Sequence, residues 1–192
     1  MAKGKQRRKK ISWKGMKTVH GYAADEVISA LQKDIRRGNA EDAAFWAYEM
    51  MLSGQEFEKK MWERLIVISV EDVGLANPNL VSIVKDAHDT YFMMPGGKGD
   101  RHMRGLFAAV VLAKSPKDRF MDEMYNNLSS KVEEGYRPDI PDYALDKHTK
   151  RGKQLGRGEK HFWTEGSKLE NESPFRDKSY LQYILKKIRK KK

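Results

Sequence analysis

The chain has 192 residues, no cysteine and a formal net charge of +11. Such a length makes one domain with appendages, and the missing cysteines exclude disulfides, thiolate metal sites and cysteine nucleophiles. The charge is unevenly placed. Residues 1–19 hold eight Lys or Arg and no acid, and residues 186–192 hold six more, which leaves residues 20–185 at −3. Within that body, residues 147–160 carry six basic groups against Glu159 alone, a local +5. Positive charge gathered in two ends and one internal stretch is the electrostatic footprint of a polyanion partner. No apolar run reaches 18 residues and no apolar h-region follows the basic start, so the expectation is no membrane span, no secretory signal and a cytoplasmic location.

In chain order, residues 1–19 read as a flexible basic arm in which Ile11, Trp13 and Met16 are candidate anchors. The first helix follows in YAADEVISALQKDIRRGN, where Ala24, Val27, Ile28, Leu31 and Ile35 share a face and Gly38 is the stop. The second, AEDAAFWAYEMMLSG, is apolar over much of its circumference and reads as central and largely buried. A third runs through EFEKKMWERLIVISVEDVG; its run Leu65 to Val70 has strand character, but length and the charged approach favour helix. A fourth is expected after LANP with Asn77 as cap, a fifth from Asp100 to Ala113, and a sixth from Ser115-Pro116 through Phe120, Met124, Leu128 and Val132. The fold class is therefore all-α, a bundle of five to six helices over residues 20–136. An irregular Gly/Lys/aromatic-rich extension, residues 137–185, is expected to pack on it, and a basic tail, residues 186–192, ends it as part of a short amphipathic helix, SYLQYILKKIRKKK.

The extension carries the question of chemistry. It holds DKHTKRGKQLGRGEKHFWTEG, with glycines at 152, 156, 158 and 166. Neither this stretch nor PGGKGD at 95–100 has the spacing of a phosphate-binding loop, and neither follows a strand. His148 and His161 stand thirteen positions apart, so no metal-ligand spacing is present; Glu71 and Asp72 point about 100° apart on an ideal helix and read as polar caps or as partners of a basic group near a helix end. His88, Trp46 and Trp62 read as packed side chains. No catalytic, metal or cofactor residue is assigned. A metal-dependent nuclease built on His148, His161 and nearby acids is the weakest alternative. Phe162-Trp163 reads first as an anchor for the extension and second as a base-stacking pair.

The segments ISALQKDIRRGNAEDAAFWAYEMMLSG, RLIVISVEDVGLANP and DAHDTYFMMPGGKGDRHMRGLFAAVVLAKSPK resemble, in order and spacing, the C-terminal domain of the replication-associated recombination protein A family. These are AAA+ ATPases, also called MgsA, similar to clamp loaders. The shared features are the helical pair Ile28 to Met51, the helix end Glu71 to Gly74 and the turn Ser115 to Lys117. The resemblance implies a helical fold, self-association as a tetramer and a connection with stalled replication or DNA repair. No Walker lysine or acid matches these residues, so ATP hydrolysis is not carried over, and the basic ends read as additions of a stand-alone form. The expectation is a non-enzymatic, self-associating module that binds DNA with weak sequence specificity through its arm, its tail and a contact set of Lys147, Lys150, Arg151, Lys153, Arg157 and Lys160. The alternative is a protein-interaction partner of a separately encoded AAA+ ATPase or other replisome component.

Overall fold

A computed structural model describes residues 12–94 and 98–190. Ile11 lies outside the described residues. The chain divides into two compact units between Glu134 and Gly135. Among the described residues the secondary structure is helical, apart from an isolated antiparallel bridge between Lys17 and Ala23.

The first unit contains α1 (Ala24–Arg37), α2 (Ala40–Leu52), α3 (Gln55–Ile68), α4 (Leu80–Met93), α5 (Lys98–Lys114) and α6 (Phe120–Glu133). α5 packs against α2 and α4, and α1 lies along α2. Trp62, Leu31, Ile35, Met50, Leu65 and Tyr91 are almost wholly removed from water, and each such side chain contributes roughly 1.5–3 kcal/mol of burial. The Leu65 to Val70 run is helical, as expected: α3 passes without a break into a π-turn, Ser69–Val73. Trp13 and Met16 anchor residues 12–19 on this core, Trp13 edge-on to Phe57 at 5.2 Å. The adjoining turn is held by Glu49, buried on α2, which accepts from the His20 amide at 3.1 Å and pairs with His20 Nδ1 at 2.6 Å.

Three expectations need revision. α2 is not buried around most of its circumference. Ala43 and Ala47 face the core, where neighbouring helices come close, while Phe45 is 47% and Tyr48 41% exposed. These larger rings pack sideways instead, Phe45 on Trp46 at 4.9 Å and Tyr48 on His102 at 5.5 Å. α4 begins at Leu80 rather than at Asn77, because Asn77 and Pro78 carbonyls accept from the Leu80 and Val81 amides and form a turn first. α6 begins at Phe120 rather than at Ser115-Pro116, and just ahead of it Asp118 Oδ1 accepts from the Phe120 amide at 2.8 Å.

The segment 115–119 stays out of both helices because it is engaged elsewhere. Lys117 Nζ donates to the Leu112 and Ala113 carbonyls at 2.9 and 2.8 Å, closing the end of α5. Partial burial lowers its pKa from the ordinary lysine value. The Asp118 amide donates to the Asp72 carbonyl at 2.9 Å. Gly74 lies beneath this crossing with φ +51°, and a Cβ there would come within 2.5 Å of the Asp118 carbonyl oxygen, so only glycine fits. Asp72, fully buried, accepts from Arg36 Nε at 2.5 Å, Arg119 at 2.8 Å and Gln32 at 3.0 Å; Glu71 joins Arg36 at 3.2 Å. Burial alone would raise the Asp72 carboxyl, but these donors outweigh it and hold the group below the ordinary carboxylate value. The π-turn brings the two adjacent acids onto one set of cations, as the expectation of basic partners required. Two of the three features that carried the resemblance, Glu71 to Gly74 and the turn Ser115 to Lys117, thus lie at one joint, which Asp118 and Arg119, just after the turn, close onto Asp72.

Candidate nucleic-acid interface

The second unit has little apolar core. Among its described residues Leu145 is the one buried hydrophobic side chain. Where the sequence reads as irregular, the chain forms short elements: a 3-10 turn at Asp142–Ala144, α7 (Lys150–Gln154), α8 (Glu159–His161) running into a π-turn at Phe162–Gly166, and α9 (Ser179–Lys190). Polar clamps hold these together.

The first clamp is the turn before α7. Asp146 accepts from the His148 amide at 2.9 Å and pairs with its Nδ1 at 3.0 Å, which lowers the carboxyl from its ordinary pKa. Thr149 caps α7, its Oγ1 accepting from the Gly152 amide at 2.9 Å. Gly152 itself is buried against this turn, and a Cβ would stand 1.9 Å from the Asp146 carbonyl oxygen. Its glycine therefore serves close backbone packing rather than phosphate contact.

The second clamp is Arg157. It donates to the Asp142 carbonyl at 2.7 Å and the Leu145 carbonyl at 3.0 Å, and pairs with the Asp142 carboxylate at 2.5 Å. The third centres on Glu159, which accepts from Lys147 at 2.5 Å and from Trp163 Nε1 at 3.1 Å. The Lys147 hydrogen bond is the first cause of its lowered pKa. Lys147 also stands 4.7 Å from the centre of the Phe162 ring, which meets His148 and Trp163 edge-on, each at 5.0 Å. Trp163 in turn lines a cleft of about 370 Å³ with Leu169, Leu181 and Leu185, where α9 lies against the π-turn. Phe162 and Trp163 are half-buried, and inside this unit they pin the extension to itself.

The six basic residues singled out in the sequence therefore divide. Lys147 and Arg157 are spent on internal clamps. Lys150, Arg151, Lys153 and Lys160 are exposed, and none forms an ion pair among the described residues. Three of them belong to α7, whose position is fixed by the Thr149 cap and the Gly152 contact. This is a preset cationic surface, in which like charges are held on a scaffold instead of being spread along a free chain. His148 and His161 do not form a shared site: His148 is committed to Asp146 and Phe162, and His161 Nδ1 is buried without a hydrogen-bond partner. Among the described residues no three His, Asp or Glu side chains are placed to hold a metal ion, and no helix is long and apolar enough to cross a membrane. Sequence reasoning expected a basic partner for Asp72 but could not name one, because Gln32, Arg36 and Arg119 are separated from it by up to 47 positions. Their spacing gives no local signal.

The architecture is thus an all-α bundle joined in sequence to a small, polar-clamped helical unit with an exposed cationic surface. Comparison with known proteins specifies it further: residues 38–188 match the family described as the MgsA AAA+ ATPase C terminal, and the chain belongs to that family. The match extends through the extension and into α9, while residues 1–19 and 189–192 lie outside it. The chain is similar to the replication-associated recombination protein A of Haemophilus influenzae, 29% identical over 138 residues, 69% of this chain and 29% of that protein. It is similar to the protein of the same name from Bacillus subtilis, 30% identical over 138 residues, 72% of this chain and 32% of the relative. With the Escherichia coli K12 counterpart it shares 28% identity over 136 residues, 71% and 30% of the two chains. The chain thus spans about three tenths of the length of these relatives.

Proposed function

We propose that this chain is a non-catalytic module that binds nucleic acid and self-associates in a process of DNA replication or recombination. The observation that carries the reading is the exposed set Lys150, Arg151, Lys153 and Lys160, borne by a folded extension that the family match includes. Four cations held on one small scaffold favour phosphate contacts, which position a polyanion without reading its sequence. The names of the relatives, replication-associated recombination proteins, supply the process. Self-association is supported by α6, none of whose residues is buried. Met121, Met124, Leu128 and Val132 recur at helical spacing along one exposed face.

Two experiments test this. Charge reversal of the four exposed cations to Glu should weaken duplex DNA binding at least tenfold; unchanged affinity would remove the assignment. Leu128→Glu should lower the solution mass measured by light scattering, and an unchanged mass would take α6 out of the assembly. A second reading, docking on an AAA+ ATPase, is favoured by the family description, which places this region at the end of such an enzyme. Under it the charge-reversed protein would still co-purify with the ATPase while wild type would fail to retain DNA.

A further inference from the structure

α9 has two faces with different chemistry. Leu181, Ile184, Leu185 and Ile188 share one face and are partly buried, and Leu181 and Leu185 close the cleft against Trp163 and Leu169. A flanking face carries Tyr180 and Tyr183, 77% and 59% exposed, with Lys187 beside them and Lys186 and Lys190 farther round the helix, all exposed. Residues 180, 183 and 187 are spaced to stand side by side along a helix, and Lys187 Nζ lies 4.9 Å from the centre of the Tyr183 ring. Two large rings facing water, one of them with an ammonium group over it, are an unusual use of surface when the same helix already has an apolar face for packing.

We propose that this Tyr180–Tyr183–Lys187 ridge is a stacking site for the unpaired bases of a single-stranded nucleic acid. It rests on the nucleic-acid reading above and adds to it a second, separate contact surface and a strand preference. Stacking needs an exposed π-face and phosphate neutralisation needs a nearby cation, and the combination tolerates any base sequence. A duplex offers no free base face, so the ridge discriminates between strand states where the α7 cations do not. A lipid surface fits less well. A basic amphipathic helix that lies on a membrane inserts its apolar face, and here that face is already occupied inside the unit. What remains outward is phenol and ammonium.

The test uses the full chain and its Tyr180→Ala/Tyr183→Ala variant. Each is titrated against fluorescent oligo(dT), against an abasic oligomer with the same number of phosphates, and against vesicles of phosphatidylcholine with phosphatidylserine. Wild type should bind oligo(dT) more tightly than the abasic strand. The variant should lose at least about fivefold on oligo(dT), the equivalent of about 1 kcal/mol for one lost stack, with no change on the abasic strand. Tyr180→Phe/Tyr183→Phe, which keeps both rings, should restore wild-type binding; failure to restore it would overturn the stacking assignment. Equal wild-type affinity for the two strands, or a variant unchanged on oligo(dT), would overturn this inference while leaving phosphate binding in place. Absence of binding to either strand would overturn it, and would overturn the nucleic-acid reading as well if duplex DNA, titrated in parallel, is also unbound. Vesicle binding lost in the alanine variant, with oligo(dT) binding intact, would assign the ridge to membranes instead.

Discussion

The two units of this chain are built on different physics. The first buries Trp62, Leu31, Ile35, Met50, Leu65 and Tyr91 in a continuous core and adds two buried carboxylates, Glu49 and Asp72, each with its donors. In the second, Leu145 is the one hydrophobic side chain buried among the described residues, and the fold rests on Asp146, Arg157 and Glu159 clamps, each with one partner in water. Exposed ion pairs contribute little individually and are weakened by salt. The contrast separates a close-packed apolar unit from a charged, polar-clamped one. A surface that must present several like charges gains from such an arrangement: the cations stay in solvent, and internal acids neutralise those needed for structure.

The sharpest way to break the contrast is to unsettle the core. Trp62→Ala should cost about 3–5 kcal/mol, as large-to-small core changes do, measured by urea unfolding. A cost below about 1 kcal/mol would mean that the first unit is not a close-packed core.

Next is the buried joint. Asp72→Ala should cost about 3 kcal/mol, because removing one side of a buried ion pair leaves its partners uncompensated; Arg36 and Arg119 are part-exposed, which keeps the cost at the low end. The pH dependence carries a sign. The folded pKa of Asp72 lies below its ordinary value of 3.8, so the unfolded chain binds this proton first. The stabilisation is complete above 3.8 and is lost as pH falls through the lower, folded value. Acid titration of wild type and Asp72→Ala should therefore converge at low pH. Curves that stay parallel would remove Asp72 from the acid response.

The smallest global effect belongs to the second unit. Gly152→Ala must push apart the Asp146 turn, and the expected result is faster trypsin cleavage at Lys150, Arg151 and Lys153 with little change in the main unfolding transition. Equal loss in both would show that the two units unfold together.

The elements legible in the sequence were those with strong local signals. α1 ends where Gly38 takes a left-handed conformation, α3 shows its helical nature through length, and α9 through its alternation of Leu/Ile with Lys. Trp62 reads as core for the same reason, and it is. The misreadings share a cause: distant contacts overruled local rules. Ser115-Pro116 looks like a helix start, but Lys117 and Asp118 are recruited to the ends of α5 and the π-turn. Phe45 and Tyr48 look like core, but alanines fill the close helix contacts. In the extension, composition revealed the cations but not which were free, because the Asp142–Arg157 and Lys147–Glu159 pairs span 15 and 12 positions.

The central claim is that the cations left over from those clamps meet a polyanion. It is tested most directly by the salt dependence of duplex DNA binding, followed by fluorescence anisotropy of the full chain and of its Lys150→Glu/Arg151→Glu/Lys153→Glu/Lys160→Glu variant. Each phosphate contact adds about 0.9 to the slope of log affinity against log salt. The account predicts that the variant's slope is shallower by roughly 3–4 and that its affinity falls across the whole salt range. An unchanged slope and affinity would contradict it.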